Sequence, residues 1–363
     1  MLTRSLLVCA ALAVASLAAP PDRARIDQLA ERAREAFTVP GLALAIVQDD
    51  QVVHLAGYGV RDVKTRAPLT PDSLFEIAST TKAFTAAAVA MMADEKKLQW
   101  DDPVRQHLEY FRLADPLANE NVTIRDLLCH RTGLSRHDNL WIRTPFSRED
   151  IIRRIGFVPL AKPFRQEYQY QNIMFLTAGE LAAKAAGLSW DDFMRQRFFE
   201  PLAMKRTTTR HAEAVAQSDR AMPHRKSRGG AVESFEWINY DNVGAAGAIN
   251  SSARDLANWV RLQLAGGQFE GRRLISERNL RETWEPHMVQ RLTAENRALN
   301  PGVTQQTYAL GWNLIHYQGR LIISHSGVLS GFRARIALVP ERKLGIVLLA
   351  NLNSTDAPEA LNY

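Results

Sequence analysis

The sequence predicts a mixed α/β fold of the α+β type: one antiparallel sheet assembled from both chain ends, with flanking helices and a mostly helical lobe. Three observations carry this. Apolar runs over 42–47 and 52–58 flank the polar Gln48-Asp49-Asp50-Gln51, the pattern of a β-hairpin. Towards the other end, apolar stretches over 311–317, 320–324, 332–339 and 344–350 are separated by turn formers at Gln318-Gly319, Ser330-Gly331 and Pro340-Glu341. Between these two regions the apolar spacing is mainly helical.

Taken in order, the elements start with a segment outside the fold. Arg4, the apolar run 5–17 and the small residues Ser16 and Ala18 read as a secretory signal over 1–18, too short for a comfortable membrane span. The mature chain is expected to be secreted or periplasmic, with no integral membrane span after cleavage. Removing the signal removes Cys9 and leaves Cys129, so no intramolecular disulfide is expected. Residues 19–363 then form the folded unit. Ile26, Leu29, Ala30, Ala33, Ala36 and Phe37 give 22–37 a helical face. A second helix is expected from Thr80 to about Leu98, and further helices over 124–128, 148–155, 174–186 and 190–199. The sheet lobe takes about 22–78 and 250–363, the helical lobe about 79–249, and the cleft between them is where a small-molecule site is expected.

Composition excludes several function classes. With 46% hydrophobic and 23% charged residues, the 363-residue chain is an ordinary globular protein and not a disordered one. Its net charge of +6 is spread along the chain without Lys/Arg runs, so no nucleic-acid partner is expected. There is no fixed-period repeat, G-x-S-x-G elbow, H-E-x-x-H, paired C-x-x-C or P-loop. No metal or cofactor is expected; the partner is a small-molecule or peptide substrate. Gly244-Ala245-Ala246-Gly247 reads as a tight loop lining the cleft.

The chemistry begins at Ser79-Thr80-Thr81-Lys82. Three-residue spacing at a helix start puts the Ser79 hydroxyl and the Lys82 amine on one face, one turn apart. A serine becomes nucleophilic when a neighbour takes its proton. Lys82 can take it if neutral, and Ala83 to Met92, polar only at Thr85, suggests a buried helix that disfavours the ammonium form. The alternative is a Ser79 helix cap with Lys82 in solvent. Tyr170-Gln171-Asn172 offers a phenol to move protons and an amide to hold substrate; the alternative is a loop tyrosine in water. His325-Ser326-Gly327 ends the strand 320–324, where a strand edge can align a substrate backbone and Gly327 permits close approach. Leu127 to Leu134, through Cys129-His130, reads as a helix stop and scaffold.

Together, Ser79-x-x-Lys82, Tyr170-x-Asn172 and His325-x-Gly327, with Leu127-x-x-His130-x-Thr132-Gly133-Leu134 and Ala246-Gly247-x-x-x-Ser251, resemble the serine β-lactamase and penicillin-binding-protein-like hydrolases. The resemblance runs from Val39-Pro40-Gly41 to Leu348-Leu349-Ala350-Asn351. It points to the branch of class C β-lactamases, D-alanyl-D-alanine carboxypeptidases, D-aminopeptidases and family VIII esterases. It implies a β-lactamase/transpeptidase-like fold and acyl transfer through a covalent intermediate on Ser79, with Lys82 and Tyr170 moving the proton. It further implies an oxyanion hole at the backbone N–H groups of Ser79 and Val328, Asn172 on the substrate amide, and His325, Ser326 and Gly327 lining the substrate. His325 departs from the lysine of true class C enzymes and resembles the peptidase and esterase members. An unperturbed histidine titrates near ~6.5, so carboxylate-bearing substrates are expected to lose affinity as pH rises through neutrality. The alternative to an enzyme is a non-catalytic sensor or structural protein of the same fold. Residues 357–361 read as the first turn of a helix that related proteins continue, so a C-terminally truncated chain is expected, with the helix 22–37 otherwise covering the sheet alone.

Overall fold

The computed structural model describes residues 22–355 and 357–360; the expected signal over 1–18 and the last residue of the expected terminal turn, Leu361, lie outside the described residues. An eight-stranded antiparallel sheet is built from β1 (Gly41–Gln48), β2 (Gln51–Gly59), β3 (Met288–Val289), β4 (Val303–Tyr308), β5 (Asn313–Tyr317), β6 (Arg320–Leu329), β7 (Phe332–Val339) and β8 (Leu344–Ala350). The order β2-β1-β8-β7-β6-β5-β4-β3 places the N-terminal hairpin beside the last strand, with Leu42 opposite Ala350 and Gln48 opposite Leu344. The sheet is thus closed from both chain ends. Asp49 and Asp50 both adopt positive φ at the hairpin turn, the requirement of a type I′ connection that Asp tolerates.

Strand alternation gives the sheet two apolar faces. Ala43, Ala45, Val47, Ile323, Ile336, Leu338, Val347 and Leu349 join the main core on the inner face. On the outer face, Leu42, Leu44, Tyr58, Leu348 and Ala350 pack with Ala30 of α1 (Arg23–Ala36) and with Ala357 of the turn Ala357–Ala360. Helix α1 therefore shares the cover of this face with the turn Ala357–Ala360, unlike the alternative in which it covers the face alone. The inner-face core continues through α2 (Thr81–Asp94), α3 (Asn172–Ala186) and α4 (Ala253–Leu264). Every residue of α2 from Thr81 to Met92 is buried, as its apolar circumference demands. Phe84 of α2 stacks on Trp259 of α4, with centroids 3.7 Å apart.

Several boundaries differ from the sequence reading. Helix α2 stops at Asp94 because Lys96 turns left-handed and returns Leu98 to the core. Strand β6 does not end at Ser324 but runs to Leu329, so His325, Ser326 and Gly327 lie inside it, each paired with β7. Strand β4 is missed from sequence since Val303-Thr304-Gln305-Gln306-Thr307-Tyr308 is polar, its place in the sheet set by pairing with β5. No helix among the described residues is long and apolar enough to cross a membrane.

Asn351 stitches the two chain ends together. Its Oδ1 accepts from the Gly41 amide at 2.7 Å, and its Nδ2 donates to the carbonyls of Val60 and Arg61 at 3.1 and 3.2 Å. The residue is fully buried, so its loss strands a donor and two acceptors away from water. Asn351→Ala is expected to lower stability by about 2–3 kcal/mol, read as a lower urea midpoint at unchanged slope; an unchanged midpoint would contradict this role.

Candidate active site

Ser79 is aimed by the strand that precedes it and by a strained turn. Phe75–Glu76 pairs with Asn250–Ser251, and the Ile77 amide donates to the Ile249 carbonyl at 3.0 Å. Ala78 then adopts a left-handed φ of 50°, a conformation costly for a residue with a Cβ, and Ala78–Thr80 forms a single tight turn into α2. The result is a half-buried Ser79 at the N-terminus of a buried helix. No side chain caps α2: Ser79 Oγ lies 3.0 Å from Lys82 Nζ, so the capping alternative fails.

Lys82 is fully buried. Its Nζ lies 2.8 Å from Asn172 Oδ1 and 2.7 Å from the Ala246 carbonyl. Burial pushes the amine well below its ordinary range, with the Arg136 charge adding to the shift and Asp138 opposing it. A neutral amine has two N–H donors and one lone pair. Asn172 and Ala246 present acceptors for both donors, which leaves the lone pair for the Ser79 hydroxyl. The residue 244–249 segment that supplies Ala246 is fastened to α2 by Thr85 Oγ1 on the Ala245 carbonyl at 2.6 Å and by the Ile249 amide on Thr81 Oγ1 at 3.3 Å. Gly244–Gly247 is a short helical turn, and the Ala246 carbonyl is a participant that sequence reading did not find.

Tyr170 and Asn172 reach the same point from the start of α3. The Tyr170 hydroxyl is close enough to Ser79 to interact with it, and the Tyr170 ring centroid lies 4.9 Å from Lys82 Nζ. Burial raises the phenol above its ordinary value, so Tyr170 rests protonated and can donate to Ser79 Oγ. Asn172 is oriented by Asp138, whose Oδ1 accepts from Asn172 Nδ2 at 2.9 Å and from Trp141 Nε1 at 3.0 Å. Beneath them, His130 Nδ1 accepts from the Gln171 amide at 3.0 Å, its ring packed among Tyr168, Tyr170, Phe175 and Tyr308. Asp138 was invisible to sequence reading because its partner lies 34 residues away. Cys129, buried with its thiol pushed up to about 12, is a poor nucleophile.

Strand β6 supplies the opposite wall. A Cβ on Gly327 would stand 2.2 Å from the Ile77 carbonyl oxygen, so glycine is what lets β6 press against the turn carrying Ser79. This brings Gly327, which Val328 follows in the strand, against the Ile77–Ala78 backbone that precedes Ser79. Two expectations are corrected. Ser326 does not face the cleft: alternation turns its side chain to the outer face, where Arg335 Nη1 donates to its Oγ at 3.0 Å. His325 does not carry charge near neutrality. Its Nδ1 donates to the Ser326 carbonyl at 2.7 Å, so Nε2 is the acceptor and the Tyr308 hydroxyl donates to it at 3.0 Å. Burial above all pushes the imidazole down to about 3. A charge-based loss of carboxylate affinity at neutral pH therefore has no titrating group at His325. Among the described residues, no group of His, Cys, Asp and Glu is placed to hold a metal ion.

With this geometry in place, comparison with known proteins is informative. A family model described as Beta-lactamase matches residues 26–363. The chain is 31% identical over 350 residues to an unguisins hydrolase of Aspergillus campestris, covering 93% of this chain and 63% of the relative. It is 27% identical over 344 residues to the protein Flp of Staphylococcus aureus, covering 93% and 65%. The chain thus spans somewhat under two thirds of the length of these relatives. In fold it is similar to the octameric penicillin-binding protein homologue of Pyrococcus abyssi, with a TM-score of 0.79 at 24% identity over 92% of this chain and 74% of that one. A β-lactamase of Sulfitobacter gives 0.75 at 20% identity over 94% and 96%.

Two buried neutral imidazoles have a consequence for stability. Burial holds His325 and His130 below the ~6.5 of an unfolded histidine. Below that pH the unfolded chain binds protons that the folded chain refuses, so stability is full above about 6.5 and falls as pH drops. Each histidine contributes up to about 1.4 kcal/mol per pH unit. Urea midpoints are expected to fall between pH 6.5 and 5, and His325→Gln is expected to flatten that slope; an identical slope in the variant would contradict the neutral assignment.

Proposed function

The chain belongs to the β-lactamase family, and on that premise we propose that it is a serine hydrolase that cleaves an amide, peptide or ester bond through an acyl-enzyme on Ser79. The observation that carries this reading is the fully buried Lys82 amine 3.0 Å from Ser79 Oγ, in surroundings that favour its neutral form. Lys82 takes the Ser79 proton as the oxygen attacks the carbonyl carbon. Negative charge then develops on the carbonyl oxygen, beside the amides of Ser79 and Val328 and the positive end of α2. A donor of this kind is worth ~3 kcal/mol of transition-state stabilisation. Tyr170, a protonated phenol beside Ser79, hands a proton to the leaving group and is recharged by Lys82. Asn172, held by Asp138, orients the substrate amide. Water repeats the sequence in reverse and frees Ser79.

Intact Ser79, Lys82, Tyr170 and Asn172 within one contact set support catalysis over a purely binding role, as does the hydrolase name of the Aspergillus relative. Arg4 and the apolar run 5–17 support action outside the cytoplasm. β-Lactams, D-amino peptides and carboxylic esters all fit this chemistry. Loops around the cleft choose among them.

A fluorophosphonate that acylates serine tests the proposal by mass shift. Wild-type protein is expected to gain one adduct, and Ser79→Ala none, with stability within about 1 kcal/mol because the hydroxyl caps no helix. Retained labelling or turnover in Ser79→Ala would refute the assignment. Lys82→Arg replaces the neutral amine with a cation that cannot give up its proton, and is expected to slow labelling by about 10²–10⁴-fold. In the wild type, the labelling rate is expected to rise with pH as Lys82 deprotonates, with the midpoint well below that of an ordinary lysine.

A further inference from the structure

The buried walls of the cleft are electrically quiet. Lys82, His130 and His325 are all biased to their neutral forms by burial. At the rim, however, the Arg136 guanidinium stands 5.1 Å from the centroid of the Tyr170 ring, with its side chain more than half exposed. Its Nε donates to Asp138 Oδ2 at 2.7 Å. Among the described residues no partner engages Nη1 or Nη2, so the end of the guanidinium, with two parallel donors, is open. Cation–π contact on one side and Asp138 on the other hold that end in place without filling it.

The geometry points to Arg136 as a specificity-determining residue that selects substrates bearing a carboxylate about two residues from the scissile carbonyl. This rests on the reading of Ser79 as the acylated group. The Tyr170 ring bridges Arg136 and Ser79, which puts the guanidinium on the order of 10 Å from the nucleophile, a few residues of extended chain at ~3.4 Å each. A planar fork of two N–H donors matches the two oxygens of a carboxylate and is a poor match for a neutral amide or ester. Asp138 balances the formal charge of Arg136 but engages only Nε, so the preference rests on the paired Nη1 and Nη2 donors, which match a carboxylate. The Arg136 charge is also felt at Lys82, His130, Tyr168 and Tyr170, which agrees with its position over the site. The cation that the sequence placed at His325 is thus supplied from the opposite wall.

The test uses two matched substrate pairs. One is p-nitrophenyl hydrogen pimelate against p-nitrophenyl methyl pimelate, with the carboxylate on the acyl side. The other is N-acetyl-D-alanyl-D-alanyl-D-alanine against its C-terminal carboxamide, cleaved after the first D-alanine, with the carboxylate two residues away on the leaving side. Wild-type protein is expected to prefer the acid in at least one pair. Arg136→Gln is expected to cut that preference, read as the ratio of kcat/KM for the acid to that for its neutral partner, by 10–100-fold; loss of its charge near Lys82 and Tyr170 acts on both partners alike and leaves the ratio untouched. Arg136→Lys is expected to restore part of the preference. The proposal is overturned if wild type shows no preference in either pair, including by lack of turnover. It is equally overturned if Arg136→Gln slows acid and neutral substrates alike and leaves their ratio at the wild-type value, since Arg136 would then act only through Lys82 and Tyr170. Absence of fluorophosphonate labelling in wild type would instead refute the nucleophile assignment.

Discussion

Everything around the cleft depends on one buried amine. A charged lysine taken out of water costs several kcal/mol unless it is paired, and no carboxylate lies among the hydrogen-bond partners of Lys82. Neutrality removes that cost, and a neutral amine asks for two acceptors and one donor. The structure meets the request with the Asn172 amide oxygen, the Ala246 carbonyl and the Ser79 hydroxyl. Each partner is itself held: Asn172 by Asp138, Ala246 by the Thr81 and Thr85 anchors of its segment, Ser79 by the turn at Ala78. The wholly buried α2 follows from the same need, because a polar face on that helix would admit the water that recharges the amine.

The sheet matters to the site for its rigidity. Strand β6 is paired with β5 over 320–324 and with β7 from Ile323 to Leu329, so beyond Ser324 the backbone of Gly327 and Val328 is placed by the β7 ladder alone and its other edge is unpaired with β5. Close approach to Ile77 requires that the crossing residue have no Cβ. Ala78 contributes the other half of the contact through a backbone conformation that most residues avoid. Such strain persists only where the surroundings over-determine it. Here pairing on the Phe75–Glu76 side and a buried helix on the other do so.

Charge is sorted by depth. The interior groups, Lys82, His130, His325 and Tyr308, sit in their neutral forms and interact through hydrogen bonds and ring contacts. The ion pair of Arg136 with Asp138 stands at the rim, where water shares the cost of its solvation. A reaction that develops an oxyanion benefits from this division, since fixed dipoles in a dry site act at full strength while the rim remains free to recognise charge.

By itself the sequence determined the hairpin at 42–58, the strands 332–339 and 344–350, the helix 148–155 and the local Ser79–Lys82 pairing. Each is a short-range matter of period, turn chemistry or a single helical turn, and each stands where the residues placed it. Ser79, Lys82, Tyr170 and Asn172 were legible because their types state their chemistry. What the tertiary structure decided is of another kind. Whether His325 is charged depends on its burial and on Tyr308 from a neighbouring region of the sheet. Which way Ser326 points depends on a strand running past the end its apolar pattern suggests, with pairing to β7 as the cause. Asp138, Ala246 and Arg136 acquire meaning from groups brought beside them across 34, 164 and 34 residues of chain. Local pattern records the backbone's own preferences; protonation, side-chain direction and partnership are set by neighbours that only folding supplies.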